Sequence, residues 1–157
     1  MKLLYVEDVE VGQEIGPLET VATDEGVIAF CQAWGQNAAN RFTDRETAEK
    51  VGLPGPIVPG IMAMALMTRL LTSWAGPTSI KDLDLVFRQP VPHNKPLKIS
   101  ATVTDTRQED GQNLVECDVM LTGSEGERHV GGKAILVLPS RAYGPSGSVD
   151  TLPKRKT

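Results

Sequence analysis

Residues 60–77 have the sequence "GIMAMALMTRLLTSWAGP", and this run constrains how the remainder of the chain must be arranged. Its residues are apolar on nearly every side of a helix, whereas a helix on a protein surface shows a polar face. At 1.5 Å per residue the helix would extend about 22 Å before Gly76 and Pro77 end it. The pattern therefore predicts a long central helix that is buried on most sides.

Downstream of this helix, the hydrophobic period changes from that of a helix to that of a strand. Leu97, Ile99, Ala101 and Val103 alternate with polar residues, as in a half-buried strand. Because the apolar helix has no cover except these strands, we predict an α+β fold in which an antiparallel sheet wraps around the helix. The predicted strands are 83–87, 97–104, 114–121 and 132–138, with hairpin turns at 110–111 and 123–126.

Upstream of the central helix, the sequence predicts two shorter helices. Thr23 or Asp24 is positioned to cap an amphipathic helix over residues 25–34. In "DRETAEKVG", residues 44–52, Asp44 is the expected N-cap of a short helix. Both helices precede the strands, which agrees with an α+β arrangement.

The composition indicates one domain followed by a polar tail. The chain has 157 residues, of which 40% are apolar and 23% charged, as in ordinary globular proteins. We predict a domain over residues 1–139 that starts with an extended lead-in over 1–22. Residues 140–157, "SRAYGPSGSVDTLPKRKT", are rich in Gly, Ser and Pro, so we expect a flexible polar tail there.

Charge and hydropathy narrow the classes of partner. A net charge of −4 argues against nucleic acid or an anionic membrane as the main partner. The start, "MKLLYVEDVEVG", has no signal-peptide core, and the apolar run 61–75 is too short to span a bilayer and contains Arg69.

Cys31 and Cys117 lie in apolar patterns, which predicts free core thiols in a reducing compartment. We expect a cytoplasmic protein without a metal or an organic cofactor.

A spaced motif, D-x3-A-x3-G-x3-PI-x-x-G, precedes the central helix. Together with "VEDVEVGQEI" near the start and "FRQPVPHNKPLKISATVT" in the strands, this motif resembles the MaoC-like branch of the hot-dog fold. That branch contains the (R)-specific enoyl-CoA hydratases and related dehydratases. The resemblance extends over roughly residues 5–139 and implies a hot-dog fold and an acyl-CoA or acyl-carrier thioester as ligand. The motif positions are Asp44, Ala48, Gly52, Pro56, Ile57 and Gly60.

The resemblance also locates the catalytic pair of the family and shows that it is replaced. In the hydratases, an Asp and a His five positions later polarise the water that adds to the double bond. These positions fall on Asn37 and Phe42 here, and the family's His before the motif glycine is Pro59. Asn has no titratable proton near neutral pH, and Phe has no polar atom. Since acid–base catalysis by one group contributes about 10²–10⁴-fold, the resemblance implies little hydratase activity.

Other residues of the loop are candidates for chemistry. Asn40 and Arg41 lie inside it, and Arg41 is either a partner for a ligand carboxylate or phosphate or a solvent-exposed residue. Asp44 is a further catalytic candidate, although its position before "RETAEK" favours a capping role. The catalytic candidates are therefore Asn37, Asn40, Arg41 and Asp44.

The resemblance implies a second group of residues that bind substrate. The backbone N–H at Gly60 would bind the thioester oxygen, since a helix N-terminus has free N–H groups and favours negative charge. Met64 is a candidate for an adaptable acyl pocket. Thr68 is either a pocket hydroxyl or a buried Thr bonded to its own helix. The substrate-binding candidates are Phe42, Pro59, Gly60, Met64 and Thr68.

Two histidines are present, and we expect both on the surface. His93 lies in the turn-like stretch "VPHNKP", and His129 lies at the entry to a strand. A catalytic role for either one is the alternative.

A narrower resemblance concerns "LLTSWAGP", residues 70–77, and the following "IKDLDLVFRQPV". These stretches are similar to the small subunit of the heteromeric MaoC-like hydratase of steroid side-chain degradation. In that enzyme the catalytic pair lies on the partner chain, which would account for Asn37 and Phe42 here.

Three functions follow from these patterns. The first is a subunit that completes the site of a catalytic partner. The second is a diverged enzyme that acts on a thioester or polyketide-like substrate by dehydration, isomerisation or cyclisation. The third is a non-catalytic ligand-binding module. In each case we expect a homodimer, or a heterodimer with another hot-dog chain, because a single sheet would leave an exposed edge.

Overall fold

A computed structural model describes residues 2–143, which form one five-stranded antiparallel sheet and three α-helices. The predicted α+β class is confirmed. The elements are β1 (Glu14–Val21), α1 (Asp24–Ala33), α2 (Arg45–Lys50), α3 (Gly60–Ala75), β2 (Ile80–Phe87), β3 (Pro96–Glu109), β4 (Gln112–Gly123) and β5 (Arg128–Leu138), with short 3-10 helices at Val6–Asp8 and Arg141–Tyr143.

The sheet has the order β1-β3-β4-β5-β2, so β1 and β2 are its two edges. The predicted turn between β3 and β4 is confirmed: Asp110 and Gly111 have φ angles of 49° and 74°. Two consecutive positive φ angles match the right-handed twist of the flanking strands, and Gly adopts them without steric cost.

The helix α3 lies against the sheet and contacts all five strands. Its inward side joins the main core, where Met67 and Leu71 are fully buried. Each such side chain contributes about 1.5–3 kcal/mol relative to an exposed one. The other buried residues of α3 are Ala63, Leu70 and Ala75.

The helix α3 is covered on most sides, as predicted, but one narrow face is exposed. Ile61, Ala65, Arg69 and Ser73 recur every fourth residue and are exposed. Ile61 is 48% exposed although it is apolar. The sheet packs against one side of α3. The face formed by Ile61, Ala65, Arg69 and Ser73 points away from it and is left exposed by residues 2–143.

Both shorter helices begin at the predicted caps. The hydroxyl of Thr23 accepts a hydrogen bond from the N–H of Gly26 at 3.0 Å. The carboxylate of Asp44 accepts one from the N–H of Thr47 at 2.8 Å. Each bond satisfies an N–H group that the helix itself leaves unpaired. Cys31 and Cys117 are buried free thiols, as predicted.

The predicted lead-in is more structured than expected. Residues 14–21 pair with residues 96–102 of β3, with an irregularity between Ile15 and Leu18, and form the edge strand β1. The N–H of Val6 donates to the carbonyl of Pro139, and Arg141 bonds the carboxylate of Asp8 at 2.7 and 2.8 Å. The domain boundary at residue 139 remains a prediction, and residues 144–157 of the predicted tail lie outside the described residues.

Within residues 2–143, no helix combines the length and the apolar character needed to span a membrane.

Candidate functional site

A cavity of about 300 Å³ opens at the N-terminus of α3. It lies between the loop that precedes α2, the extended segment before α3, and the end of β2. Its walls are mostly apolar side chains and backbone. The lining residues are Arg41, Phe42, Ile57, Val58, Gly60, Phe87, Arg88, Gln89, Pro90 and Val91.

Backbone hydrogen bonds hold the segment before α3 in place. The N–H of Val58 donates to the carbonyl of Val91 at 2.8 Å, and the N–H of Ile57 donates to the carbonyl of Arg41 at 3.3 Å. Val58 and Val91 are both buried in the core. The start of α3 is therefore fixed by packing and by main-chain bonds on two sides.

Gly60 is the first residue of α3 and lines the cavity. The carbonyl of Pro59 accepts hydrogen bonds from the N–H groups of Met62 and Ala63. Within residues 2–143, the N–H of Gly60 itself donates to no protein acceptor. This unpaired donor at a helix N-terminus suits an oxygen that carries partial negative charge.

Gly60 also permits a close approach of an aromatic ring. A Cβ atom at this position would lie 3.2 Å from Cε1 of Phe87 and 3.4 Å from its Cζ. Phe87 lines the cavity and is 47% exposed. The missing side chain thus leaves room both for the ring and for a ligand atom at the helix start.

Arg41 and Phe42 form another part of the cavity wall. Phe42 packs partly against the main core, and the guanidinium of Arg41 lies 4.9 Å from the centre of its ring. This distance is within the range of a cation–π contact. The position expected for the family's histidine is therefore an apolar wall with a cation next to it.

Asn40 shapes this loop with its own side chain. Its amide oxygen accepts a hydrogen bond from the N–H of Phe42 at 2.8 Å, and its carbonyl accepts bonds from the N–H groups of Thr43 and Asp44. Such local bonding is typical of Asn in turns. Asn40 is therefore occupied in holding Phe42 in position and does not line the cavity.

The structure brings together only some of the predicted site residues. Arg41, Phe42 and Gly60 line the cavity, and Pro59 borders it as the N-cap of α3. The remaining candidates, which are not among the lining residues, are Asn37, Asn40, Asp44, Met64 and Thr68.

Two of these candidates differ in their surroundings. Asn37 is exposed to solvent. Asp44 accepts hydrogen bonds from the hydroxyl of Thr47 at 2.6 Å and from its N–H at 2.8 Å. These bonds lower the pKa of Asp44, because they favour the carboxylate over the protonated acid. Asp44 is thus an ionised helix cap, as its sequence position predicts.

Several lining residues were missed as site residues from the sequence. Phe87, Arg88 and Val91 belong to the phrase "FRQPV", which carried the family resemblance but indicated no site by itself. The antiparallel bridge between Ile57 and Pro92 brings this phrase against the segment before α3. Only the tertiary pairing reveals that both phrases form one cavity.

The prediction that both histidines lie on the surface is wrong. His129 is 5% exposed, and the side chain of His93 is 7% exposed. Nδ1 of His93 lies 2.8 Å from the carboxylate of Asp24, which also accepts a bond from Asn94. These contacts lower the pKa of Asp24. They tie the β2–β3 connection to the start of α1.

A second, wider groove of about 620 Å³ adjoins the cavity and shares Ile57 and Pro90 with it. Its lining includes Arg45, Lys95 and the bonded pair of Asp24 and His93. Among the described residues, no three His, Cys, Asp or Glu side chains are grouped as a metal site would require.

The fold of this chain recurs in solved structures. The (R)-hydratase from A. caviae involved in PHA biosynthesis has a TM-score of 0.75 and 24% identity, over 85% of this chain and 99% of that one. A chain of the ChsH1-ChsH2 complex from Mycobacterium tuberculosis has a TM-score of 0.71 and 24% identity, over 82% and 98%. A chain of the HadBC (3R-hydroxyacyl-ACP dehydratase) complex from the same organism has a TM-score of 0.68 and 17% identity, over 81% and 96%. These likenesses define the protein as a hot-dog domain.

The sequence itself assigns the family within that class. A family model described as a MaoC like domain matches residues 42–124, which is more than half of the chain. The chain therefore belongs to the MaoC-like domain family, as the spaced motif indicates. No curated protein matches the sequence significantly.

Proposed function

We propose that the chain binds an acyl thioester in the cavity at the start of α3 and acts as a subunit of a hydratase or dehydratase. The acid–base groups would come from a second hot-dog chain. The observation that carries this proposal is that Phe42 lines the same cavity as Gly60, whose N–H donates to no acceptor within residues 2–143.

The binding part of the proposal rests on the chemistry of the cavity walls. A thioester oxygen gains negative charge when a double bond next to it is hydrated or formed. A fixed backbone donor in a dry, apolar site stabilises that charge strongly. Val58, Phe87 and Val91 supply the apolar walls, and Gly60 supplies the donor. Ligand sites of this kind combine apolar walls with a few polar groups.

The side chains that line the cavity support the second part of the proposal. Its lining residues include no Asp, Glu or His; the polar side chains among them are Arg41, Arg88 and Gln89. None of these is an ordinary general base near neutral pH. This lining supports the proposal that the acid–base groups come from another chain.

Chains of two-component complexes occur among the similar structures, namely ChsH1-ChsH2 and HadBC. This supports pairing with another hot-dog chain as part of the proposal. We further propose that the subunit acts in cytoplasmic acyl-thioester metabolism, with coenzyme A or a carrier protein holding the acyl group. A symmetric homodimer is the competing assembly.

Arg41 favours a second candidate function. Its guanidinium lies on the cavity wall, 4.9 Å from the ring of Phe42, where it can stabilise an enolate-like charge or bind a ligand carboxylate. The chain would then be a diverged enzyme for dehydration, isomerisation or cyclisation of a thioester or polyketide-like substrate.

Binding and turnover of 2-enoyl-CoA thioesters separate these functions. We expect the purified chain to bind the thioesters but to leave their conjugated absorbance unchanged. Activity should appear on co-expression with a hot-dog chain that carries an Asp/His pair. The assembly proposal fails if the chain alone turns over the thioesters rapidly.

A matched pair of variants tests the role of Arg41. If the chain is a diverged enzyme, Arg41→Ala abolishes turnover of its substrate, whereas Arg69→Ala, on the exposed face of α3, leaves turnover intact. Thioester binding without turnover in the presence of any partner would instead indicate a plain ligand-binding module.

A further inference from the structure

A groove of about 270 Å³ lies on the face of the sheet that points away from the core. Its floor is a row of residues paired across three strands: Val86 of β2 lies opposite Gly131 of β5, which lies opposite Met120 of β4. The preceding residues Val119 and Val130 belong to the buried core. Because successive side chains of a strand point to opposite faces, the row itself faces outward.

The two glycines of β5 have different surroundings. A Cβ atom on Gly132 would clash with the carbonyl oxygen of Asp84, so the approach of β2 requires a glycine there. A Cβ atom on Gly131 would lie at ordinary contact distances, 3.5 Å from Cδ of Arg128 and 3.8 Å from Cγ of Met120. Packing therefore explains Gly132 but not Gly131, whose missing side chain leaves the floor of the groove open.

The charges at one end of the groove compensate one another. Lys133 of β5 lies opposite Asp84 of β2 and Asp118 of β4. Its ammonium bonds the carboxylate of Glu116 at 3.1 Å. Glu116 and then Asp118 raise the pKa of Lys133, because nearby negative charge favours the ammonium. An anionic ligand gains little at this end, since carboxylates already surround the cation.

The cations at the other end have no such compensation. Arg88 and Arg128 both line the groove. The N–H of Arg88 donates to the carbonyl of His129 at 2.8 Å, which places Arg88 next to the start of β5. Within residues 2–143, neither guanidinium forms an ion pair. Like charges on neighbouring strands repel each other, and an anion held between them would remove that repulsion.

Two guanidinium groups beside an open floor suit a phosphate ester. Each guanidinium presents a planar fork of N–H donors that can bond two phosphate oxygens at once. A phosphate ester carries a charge of about −1.5 to −2 at pH 7, which matches two cations, whereas a carboxylate carries a single charge. The charge and the donors at this end therefore favour phosphate over carboxylate.

The groove meets the candidate thioester cavity at one residue. Arg88 lines both of them, at the point where β2 ends. A phosphate bound in the groove would hold the guanidinium of Arg88 beside the cavity. The phosphate could therefore belong to the molecule that occupies the cavity or to a second molecule next to it.

We propose that this groove binds the phosphate group of a small molecule through Arg88 and Arg128, with Gly131 as its open floor. The site goes beyond the proposed function and does not depend on it, because it needs only the two arginines and the groove.

Titration with inorganic phosphate tests the site. At constant ionic strength, with chloride as the balancing anion, we expect wild type to bind phosphate. Arg128→Gln should bind it about 10–100-fold more weakly, because a hydrogen bond from a charged group is lost. Arg69→Gln, on the exposed face of α3, removes the same charge elsewhere and should bind phosphate as wild type does. Isothermal titration calorimetry measures all three constants.

A second variant tests the groove separately from its charge. Gly131→Val retains both arginines but fills the floor between Val86 and Met120. Its phosphate affinity should fall at least as far as that of Arg128→Gln. Circular dichroism spectra verify that each variant is folded.

Competition with thioesters identifies the source of the phosphate. If inorganic phosphate weakens the binding of an acyl-CoA but not of an acyl-pantetheine, which has no phosphate, the group belongs to the thioester ligand. If phosphate and acyl-CoA bind together, a separate phosphorylated molecule occupies the groove. Binding of acyl-pantetheine alone tests the proposed function, because this ligand has no group for the groove.

Two results would overturn the proposal. One is a wild type that does not bind phosphate in preference to chloride. The other is a folded Arg128→Gln variant that binds phosphate as tightly as wild type. Either result leaves the thioester cavity untouched, since acyl-pantetheine binding is measured independently.

Discussion

The start of α3 and the loop over residues 36–42 face the same cavity but are built differently. Gly60 follows a segment that is fixed by the buried residues Val58 and Val91. The loop exposes Asn37 and depends on one side chain, Asn40, for its shape. A donor that belongs to the backbone persists as long as the fold does, whereas exposed loop side chains can be exchanged without cost to the core. The proposed binding end therefore rests on the core, whereas the loop beside it rests on its own side chains.

The largest expected difference between these regions is in stability. Leu71→Ala, in the fully buried side of α3, should lower the free energy of unfolding by about 2–5 kcal/mol, because it leaves a cavity between the helix and the sheet. Asn37→Ala should change it by less than about 0.5 kcal/mol, as is usual for exposed positions. Urea unfolding measures both, and similar losses for the two variants would contradict the comparison.

The next effect concerns binding. Gly60→Val should weaken thioester binding by about tenfold, or ~1.4 kcal/mol, because its side chain would press on Phe87 and fill the space at the helix start. Ala65→Val, on the exposed face of the same helix, is the control and should bind normally. Isothermal titration with an acyl-CoA gives both constants; equal affinities would show that the ligand does not reach Gly60.

The smallest effect concerns the acid stability of the cap at α2. The pKa of Asp44 is lowered by its bonds to Thr47, so its contribution to stability is present above the ordinary value of about 3.9 and is lost as the pH falls through the lowered value. Asn caps a helix about as well but does not titrate. We expect the melting temperature of Asp44→Asn to fall less steeply than that of wild type between about pH 4.5 and 2. If the melting temperatures of wild type and Asp44→Asn fall equally with pH, protonation of Asp44 does not affect stability.

The sequence predicts most of the elements, because local patterns determine them. The alternation of apolar and polar residues after Pro77 predicts four strands, and each observed strand is longer than predicted at one or both ends. The strand β1 was missed because "EIGPLETV" contains Gly and Pro and lacks clear alternation. Its pairing with β3 is a long-range contact that no local signal indicates.

The site is less predictable than the fold. The resemblance locates the start of α3 and the loop, and thereby Arg41, Phe42 and Gly60. It gives no indication that Phe87 lines the cavity or that His93 is buried next to Asp24. These contacts join segments that are far apart in sequence, so they follow only from tertiary packing.

Hydration of 2-enoyl-CoA by wild type and by Asn37→Asp/Phe42→His tests the central claim most directly. The account predicts that wild type leaves the conjugated-thioester absorbance unchanged and that the double variant gains activity, by up to the roughly 10²–10⁴-fold that a positioned acid–base group contributes. Rapid turnover by wild type that the substitutions do not raise would contradict it, because the chain would then possess its own catalytic groups.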